Sequence, residues 1–224
     1  MTLHVLVEGP SEHAFLDPWL KRLLKGASFK VHPHQGKGTL PAEFAAAPDP
    51  KHRGLLDQLP AKLRAFGATG DAEVLVLVDA DEDDCVQLQE TLVEVAKAVA
   101  PSLTVLIRIA VEETEAFYLG DLKALEAAYP DADMDRARDY IPDSICGTWE
   151  LFGEIIGDDG GNKVAWAEAI GPKLTSSEPR TRSPSFRSLI RGIRQLVAPS
   201  TEPTKKQKTY GHPPKRRDDP SRRR

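Results

Sequence analysis

The sequence predicts an α/β protein with a mainly parallel sheet flanked by helices and with a helical C-terminal extension. Strand and helix patterns alternate up to about residue 112, and helical patterns follow. Five consecutive apolar residues from Val74 to Val78 indicate a strand that is buried on both faces, as the strands of parallel sheets are. The chain has 224 residues, of which 40% are hydrophobic, so it is long enough to enclose one sizeable core.

The elements follow one another in a regular order. Strands are predicted at residues 3–7, 29–34, 73–78 and 103–111. After the first helix, further helices are predicted at about residues 54–66, 85–99, 114–125, 148–156, 163–170 and 186–197. The first helix opens at Pro10 and carries pairs of apolar residues as far as Leu24. Pro18 lies inside it and is expected to divide it, because proline has no backbone N–H.

Charge is unevenly distributed along the chain. Residues 200–224 contain 9 Lys and Arg against 3 Asp and Glu, which leaves 21 basic and 31 acidic residues in 1–199. The basic tail, 200–224, has too few large apolar residues to fold, so it is predicted to be disordered. The domain is predicted to cover residues 1–199, with its helical part from about residue 120. The acidic body argues against general coating of nucleic acid and suits carboxylates that hold a divalent cation.

The composition also predicts a cytoplasmic protein that is not bound to a membrane. No stretch approaches the roughly 18 apolar residues that cross a bilayer. The N-terminus lacks the basic and apolar segments of a secretion signal. Cys85 and Cys146 are too few for a disulfide framework or an all-cysteine zinc site.

Acidic residues follow three of the four predicted strands. Glu8 follows the first, Asp79 the third, and Glu112 and Glu113 the fourth. In open parallel sheets, ligands bind beyond the carboxyl ends of the strands, so these carboxylates are expected to meet at one edge. Carboxylate oxygens suit Mg²⁺ or Mn²⁺, which can orient a water or a phosphate.

The segment after the third strand has two interpretations. Asp79 and Asp81 are two residues apart, and in an extended chain both side chains point the same way. A metal site is therefore favoured over a solvated loop for this pair. Asp83 and Asp84 are expected instead to lie at the start of the next helix, where the helix dipole favours acidic side chains.

Basic residues suggest contacts with phosphate. Lys37, in the loop Gly36-Lys37-Gly38, is a candidate for contact with a phosphate. Arg187, Arg191 and Arg194 form a stripe on the last helix, which fits either phosphate binding or an ordinary solvated face. Lys163, at the start of a helix, is a candidate for stabilising phosphate charge, although it also fits an ordinary surface lysine.

Two motifs resemble those of the Toprim (topoisomerase–primase) family. Residues 7–12, Val-Glu-Gly-Pro-Ser-Glu, resemble its opening Glu-Gly motif, and residues 76–81, Val-Leu-Val-Asp-Ala-Asp, its Asp-x-Asp motif. The chain is more closely similar to a bacterial Toprim-like family of formerly unknown function that includes AriB, the nuclease effector of an anti-phage system. That similarity extends to residues 36–38, 110–117 and 183–186, so it covers roughly residues 3–197.

The resemblance implies a Toprim-like (Rossmann-like) fold and a metal-dependent nuclease that acts on DNA or RNA in anti-phage defence. The implied ligands of Mg²⁺ or Mn²⁺ are Glu8, Glu12, Asp79, Asp81, Glu113 and Glu115. Glu8 is implied as the catalytic acid or base, and Lys163 as a second catalytic residue. The family also implies a partner ATPase of the ABC or AAA type, and it leaves a homodimer open.

Two other functions remain open at this point. The first is a non-catalytic Toprim-like subunit that regulates or binds a partner. The second is a Mg²⁺-dependent phosphohydrolase that acts on nucleotides, which suits the acidic body of the chain.

Overall fold

The computed structural model describes residues 1–144, 146–158 and 160–198. The predicted basic tail, 200–224, lies outside the described residues. A four-stranded sheet forms the centre of the fold, and its strands are β1 (Thr2–Val7), β2 (Phe29–Pro33), β3 (Ala72–Asp79) and β4 (Thr104–Ala110). All neighbouring pairs are parallel, in the order β2-β1-β3-β4. The predicted α/β class with a parallel sheet flanked by helices is confirmed and is consistent with a Rossmann-like fold.

Nine α-helices surround and extend this sheet in the described part of the chain. Three alternate with the strands, namely α1 (Pro10–Leu24), α2 (Leu55–Thr69) and α3 (Cys85–Val99). Six follow the last strand, namely α4 (Glu115–Gly120), α5 (Leu122–Ala128), α6 (Met134–Asp139), α7 (Thr148–Ile156), α8 (Lys163–Ile170) and α9 (Pro184–Leu196). None of the helices that the structure describes has the length and apolar character needed to cross a membrane.

Strand β3 explains why the sheet needs helices on both faces. Val74, Val76 and Val78 are buried with Leu59 of α2 and Leu92 of α3. Leu75 and Leu77 point to the other face, which is covered by α1 and the C-terminal helices. Successive side chains of a strand point to opposite faces, so the run of apolar residues contributes to both layers of the core.

Helix α1 is continuous, so the prediction that Pro18 divides it is wrong. Proline inside a helix costs about 3 kcal/mol because a hydrogen bond is lost. Here Phe15, Leu16, Trp19 and Leu20 are completely buried on both sides of Pro18. Burial of one such side chain contributes roughly 1.5–3 kcal/mol, so the packing of α1 against the sheet offsets the proline.

The predicted helix 114–125 is also wrong, because the chain breaks at Asp121 into α4 and α5. Asp121 has φ −116° and ψ 78°, outside the helical region. Its buried carboxylate accepts hydrogen bonds from Ala124 N–H at 3.2 Å and from Thr175 N–H at 2.6 Å. The first bond caps α5, and the second joins this corner to a distant loop.

The sheet order creates a crevice between β1 and β3. The chain leaves β1 toward β2 on one side and later returns to β3 on the other side. Connections that diverge in this way leave an opening at the carboxyl ends of the two strands, where open α/β sheets bind ligands. Glu8 follows β1 and Asp79 ends β3, so both lie at this opening.

Candidate metal centre

Five acidic side chains gather at the carboxyl ends of β1, β3 and β4. We call this group the carboxylate cluster, and its members are Glu8, Glu12, Asp79, Glu113 and Glu115. Glu115 and Glu12 are almost fully buried, with exposed fractions of 1% and 6%. The fold therefore brings together five of the six predicted metal ligands, from three strand ends and the first turn of α1.

Glu8 and Asp79 face each other across the crevice. A Glu8 Oε1 accepts a hydrogen bond from Asp79 N–H at 2.9 Å. Burial raises the pKa of Glu8 to about 7, and the charges of Asp81 and Glu12 act in the same direction. Burial raises the pKa of Asp79 well above its ordinary value, as do the charges of Glu12, Glu8 and Glu115. Both carboxyl groups are therefore protonated more readily than an ordinary surface carboxylate.

Glu12 fixes the turn that carries Glu8. Its Oε2 accepts a hydrogen bond from Gly9 N–H at 2.7 Å, and its Oε1 accepts one from Ser11 Oγ at 2.9 Å. Glu12 is the third residue of α1, and Pro10 is its first, so the segment has a normal helix start. The structure thus gives Glu12 a capping role, and its role as a metal ligand stays a prediction.

Lys163 lies within the cluster and is not an isolated surface lysine. Its Nζ is 2.7 Å from Glu113 Oε1 and 4.0 Å from Glu115 Oε2, and it lies 5.3 Å from the centre of the Trp149 ring. Burial lowers the pKa of Lys163, but Glu115 and Glu113 outweigh burial and the net shift is upward. The ammonium group therefore stays charged beside the carboxylates.

The position of Lys163 follows from the packing of α8 on α1. Gly171 follows α8 directly, and a Cβ there would lie 2.6 Å from Phe15 Cα. Glycine is thus needed for the two helices to approach each other. Their contact brings the first residue of α8 to the end of the crevice where α1 begins.

Glu112 does not join the cluster, although it follows the same strand as Glu113. Its backbone has φ 61°, in the left-handed region, which turns its side chain toward α7. Its carboxylate accepts hydrogen bonds from Cys146 N–H at 3.1 Å and Gly147 N–H at 2.7 Å, and from Thr148. Although burial opposes them, these bonds lower the pKa of Glu112. Glu112 therefore anchors the N-terminus of α7.

Asp81 lies at the edge of the site, and the extended conformation expected for residues 79–81 is wrong. Asp81 has φ 50°, so the chain turns after β3. Lys37 Nζ is 2.9 Å from Asp81 Oδ2, 2.8 Å from Asp83 Oδ2 and 3.0 Å from the carbonyl oxygen of Ala80. The charge of Lys37 is thus largely engaged by the protein, and its predicted contact with nucleic acid stays a prediction.

Asp84 behaves as predicted for an acidic residue at the start of a helix. It is the N-cap of α3, and its Oδ1 accepts hydrogen bonds from Val86 N–H at 2.9 Å and Gln87 N–H at 2.8 Å. This part of the acidic segment is structural.

The three arginines of the last helix contact other parts of the C-terminal region. Arg191 and Arg194 both pair with Glu178, at 3.0 and 3.7 Å. Arg187 donates a hydrogen bond to the carbonyl oxygen of Arg182 at 2.9 Å. Helix α9 packs on β4, at the edge of the sheet. The structure therefore does not bring these residues into the carboxylate cluster, and their role in nucleic-acid binding is untested.

The chemistry of the cluster fits a divalent cation. In the part of the chain that the structure describes, no three acidic, histidine or cysteine side chains are already arranged around one metal position. However, Glu115 Oε2 is buried and has no hydrogen-bond partner among the described residues. A cation would supply that partner and would offset the burial and the repulsion that raise the pKa of Glu8, Asp79 and Glu115.

Tyr118 is a member of the site that the sequence did not indicate. It is completely buried one helical turn after Glu115, and its hydroxyl has no partner among the described residues. Burial raises the pKa of this phenol well above its ordinary value, as do Glu115, Glu12 and Asp79. Tyr118 is thus a neutral phenol near the carboxylates, and its hydroxyl makes no hydrogen bond with the described residues. The spacing from Glu115 to Tyr118 was its only signal.

Replacing Glu115 by Gln is expected to stabilise the metal-free protein increasingly as the pH rises. Burial raises the pKa of Glu115 to about 7 from an ordinary 4.5; Lys163 opposes this and Glu113 adds to it. The folded chain therefore holds a proton that the unfolded chain releases. The stability from this proton is fully present below the unfolded pKa and is lost as the pH rises through the folded pKa. In EDTA, the difference in unfolding free energy between Glu115→Gln and wild type should grow by on the order of 2 kcal/mol from about pH 5 to about pH 8.

The test uses the difference in unfolding free energy between Glu115→Gln and wild type, because other groups also titrate. Burial lowers the pKa of His4, His32 and His34, which changes stability in the opposite sense, but these groups are shared and cancel. For Glu90→Gln, at an exposed position on α3, the difference in unfolding free energy from wild type should not change with pH. A constant difference for Glu115→Gln would show that Glu115 does not hold a proton in the folded state.

Comparison with known proteins identifies the family of the chain. A family model described as a domain of unknown function (DUF4276) matches residues 7–194, which include every residue of the carboxylate cluster and Lys163. Neither a curated protein nor a solved structure matches the chain significantly.

Proposed function

We propose that this chain, which belongs to the DUF4276 family of domains of unknown function, is a metal-dependent nuclease that hydrolyses phosphodiester bonds of DNA or RNA. One observation carries the proposal. Buried and half-buried carboxylates from three strand ends share the crevice between β1 and β3 with a charged lysine, and burial together with their mutual repulsion raises the pKa of Glu8, Asp79 and Glu115. Perturbed carboxylates beside a charged partner, in the crevice where open α/β sheets bind ligands, mark a candidate functional site.

Under this proposal, Asp79 and Glu115 are the main ligands of Mg²⁺ or Mn²⁺. Bound there, the cation would polarise a phosphate oxygen and make a nearby water more acidic. Both carboxylate oxygens of Glu12 and of Glu113 already accept hydrogen bonds from the protein, so these two would have to reorient to bind it. Among the described residues Glu8 accepts through Oε1 alone, which leaves its Oε2 for the cation. Asp81 is a more distant ligand at the edge of the crevice, since Lys37 holds it.

The remaining roles belong to Glu8 and Lys163. With a pKa of about 7, Glu8 can accept a proton from an attacking water at neutral pH, which is the condition for an efficient general base. Lys163 Nζ, held by Glu113, can donate to a phosphate oxygen and stabilise the charge that develops on it.

The biological setting is a further part of the proposal and rests on the Toprim-like resemblance. On that basis the chain acts in the cytoplasm as an effector of anti-phage defence, under the control of an ABC- or AAA-type ATPase. The motifs shared with that family include the segments that supply Glu8, Asp79 and Glu115.

A non-catalytic, partner-binding subunit is the second candidate, and one observation favours it. Among the described residues no metal position is already formed, and several carboxylates are engaged by the protein's own donors. A subunit of this kind would keep the fold and lose the need for the cation.

A cleavage assay tests the nuclease proposal. End-labelled single- and double-stranded DNA and RNA are incubated with the full chain in Mg²⁺, in Mn²⁺ and in EDTA. We expect shortened products with at least one divalent cation and none in EDTA. Release of phosphate from nucleoside triphosphates without cleavage of any oligonucleotide would favour the phosphohydrolase. No product in any cation would favour the non-catalytic subunit.

A further inference from the structure

A basic cleft lies beside the carboxylate cluster, on the β2 side of β1. It has a volume of about 330 Å³ and is lined by Pro10, Pro33, His34, Arg53, Gln58 and Lys62. Neither the predicted contacts with nucleic acid nor the proposed metal ligands include these side chains. Its position and its charge both point to a ligand that also reaches the cluster.

The cleft and the cluster share the turn that follows β1. His34 N–H donates to the carbonyl oxygen of Val7 at 3.1 Å, and Gly36 N–H donates to that of Glu8 at 2.8 Å. Gln35 N–H donates to the carbonyl oxygen of Arg53 at 3.0 Å, which holds the approach to α2 against the same loop. The backbone that positions Glu8 thus also forms one wall of the cleft.

No carboxylate of the described residues neutralises the positive charge of the cleft. Within residues 1–144, 146–158 and 160–198, neither Arg53 nor Lys62 pairs with a carboxylate within 4.0 Å. Burial lowers the pKa of Lys62, and Lys62 adds to the effect of burial in lowering the pKa of His34. Two unpaired cations in a body with an excess of acidic residues are suited to an anionic ligand.

His34 gives a second, independent indication of a polar ligand. Its exposed fraction is 8%, and its Nδ1 lies 2.6 Å from the carbonyl oxygen of Val7. Its Nε2 has no hydrogen-bond partner among the described residues. Buried polar atoms are nearly always paired, so an unpaired one in the lining of a basic cleft is a position that a bound molecule would satisfy.

We infer that this cleft binds a sugar-phosphate unit of the substrate, with the phosphate between Arg53 and Lys62. This inference rests on the proposed function, because it supplies the contact that holds a nucleic-acid strand next to the cluster. Gln58, which is partly buried at the same cleft, adds an amide that can donate to a phosphate oxygen. The strand would then pass over the turn at Glu8 toward Lys163.

Equilibrium binding in EDTA tests the cleft without requiring a metal or cleavage. Fluorescence anisotropy of a labelled single-stranded oligonucleotide, as RNA and as DNA, is measured with wild type and with Arg53→Gln/Lys62→Gln. We expect the double variant to bind at least tenfold more weakly and to lower the slope of log affinity against log salt by about 1.4. Arg53→Gln alone, at an exposed position, provides a second variant that should weaken binding if the double variant does not fold.

A matched control and a competing site complete the experiment. Lys97→Gln/Arg138→Gln removes the same charge from exposed positions elsewhere and should leave binding unchanged. Unchanged binding by the cleft variants would overturn the inference, as would a loss confined to Arg191→Gln/Arg194→Gln on α9. Competition by a mononucleotide at the concentration of the oligonucleotide would assign the cleft to a free nucleotide; competition only by oligonucleotides would assign it to a strand.

The outcome is separate from that of the nuclease proposal. A loss of binding in the cleft variants without cleavage in any cation would support the cleft and favour the non-catalytic subunit over the nuclease. Cleavage by the wild type, together with unchanged binding by the cleft variants, would support the nuclease and overturn the cleft.

Discussion

Millimolar Mg²⁺ or Mn²⁺ is expected to raise the melting temperature of the wild-type chain, and Asp79→Asn is expected to abolish this gain. A ligand that binds only the folded state stabilises it by RT ln(1 + [L]/Kd), which is about 2.7 kcal/mol at about 100 times Kd. Asp79 is the best single position for this test, because the other four carboxylates of the cluster all raise its pKa. A cation that binds Asp79 is also attracted by the negative charges of the other four carboxylates.

The same substitution has an opposite expected effect without metal. Asp79→Asn removes a carboxyl group whose charged form is disfavoured by burial and by the neighbouring carboxylates, so in EDTA the variant should melt at or above the wild-type temperature. A loss of metal response with retained metal-free stability therefore separates a missing ligand from a damaged fold. Asp135→Asn, at an exposed position on α6, should respond to metal as wild type does. If neither cation stabilises the wild type, even with an oligonucleotide present, the proposed metal centre is wrong.

Much of the fold could be predicted because the spacing of apolar residues within a short segment indicates which faces of a strand or helix are buried. The apolar run of β3 indicated two covered faces, and the helical period placed α7 and α8 at their observed bounds. The failures at Pro18 and Asp121 have one cause. Tertiary contacts decided both, since burial around Pro18 holds α1 together and the bond from Thr175 holds Asp121 out of the helix.

The site was predictable as far as strand topology determines it. Parallel strands end at one edge, so residues directly after β1, β3 and β4 had to lie near each other. The direction of a side chain in a turn depends on a single backbone angle, however, and this is why Glu112 and Asp81 turn away while Glu113 stays. Tyr118 was missed because a tyrosine one turn after Glu115 fits an ordinary core residue equally well, and the basic cleft was missed because it is formed by segments that are distant in the sequence.

Cleavage by Glu8→Gln is expected to be roughly 10²–10⁴-fold slower than by wild type, which is the usual range for loss of a general base. Gln keeps the size of Glu8 and can still accept the hydrogen bond from Asp79 N–H, so the turn after β1 should be preserved. The carboxylate that takes up a proton near neutral pH is lost. The rate is measured under single-turnover conditions with the oligonucleotide and cation that give the fastest wild-type cleavage.

The metal response of Glu8→Gln identifies the role that is lost. If the melting temperature still rises with the cation while cleavage falls, Glu8 acts on a proton rather than as an essential ligand. If both are lost, Glu8 is a ligand, and the acid–base assignment is wrong. Glu90→Gln controls for the removal of a carboxylate outside the crevice and should cleave as wild type does. A Glu8→Gln chain that cleaves at the wild-type rate would contradict any catalytic role for the carboxylate at the end of β1, and would leave Asp79 and Glu115 to act without it.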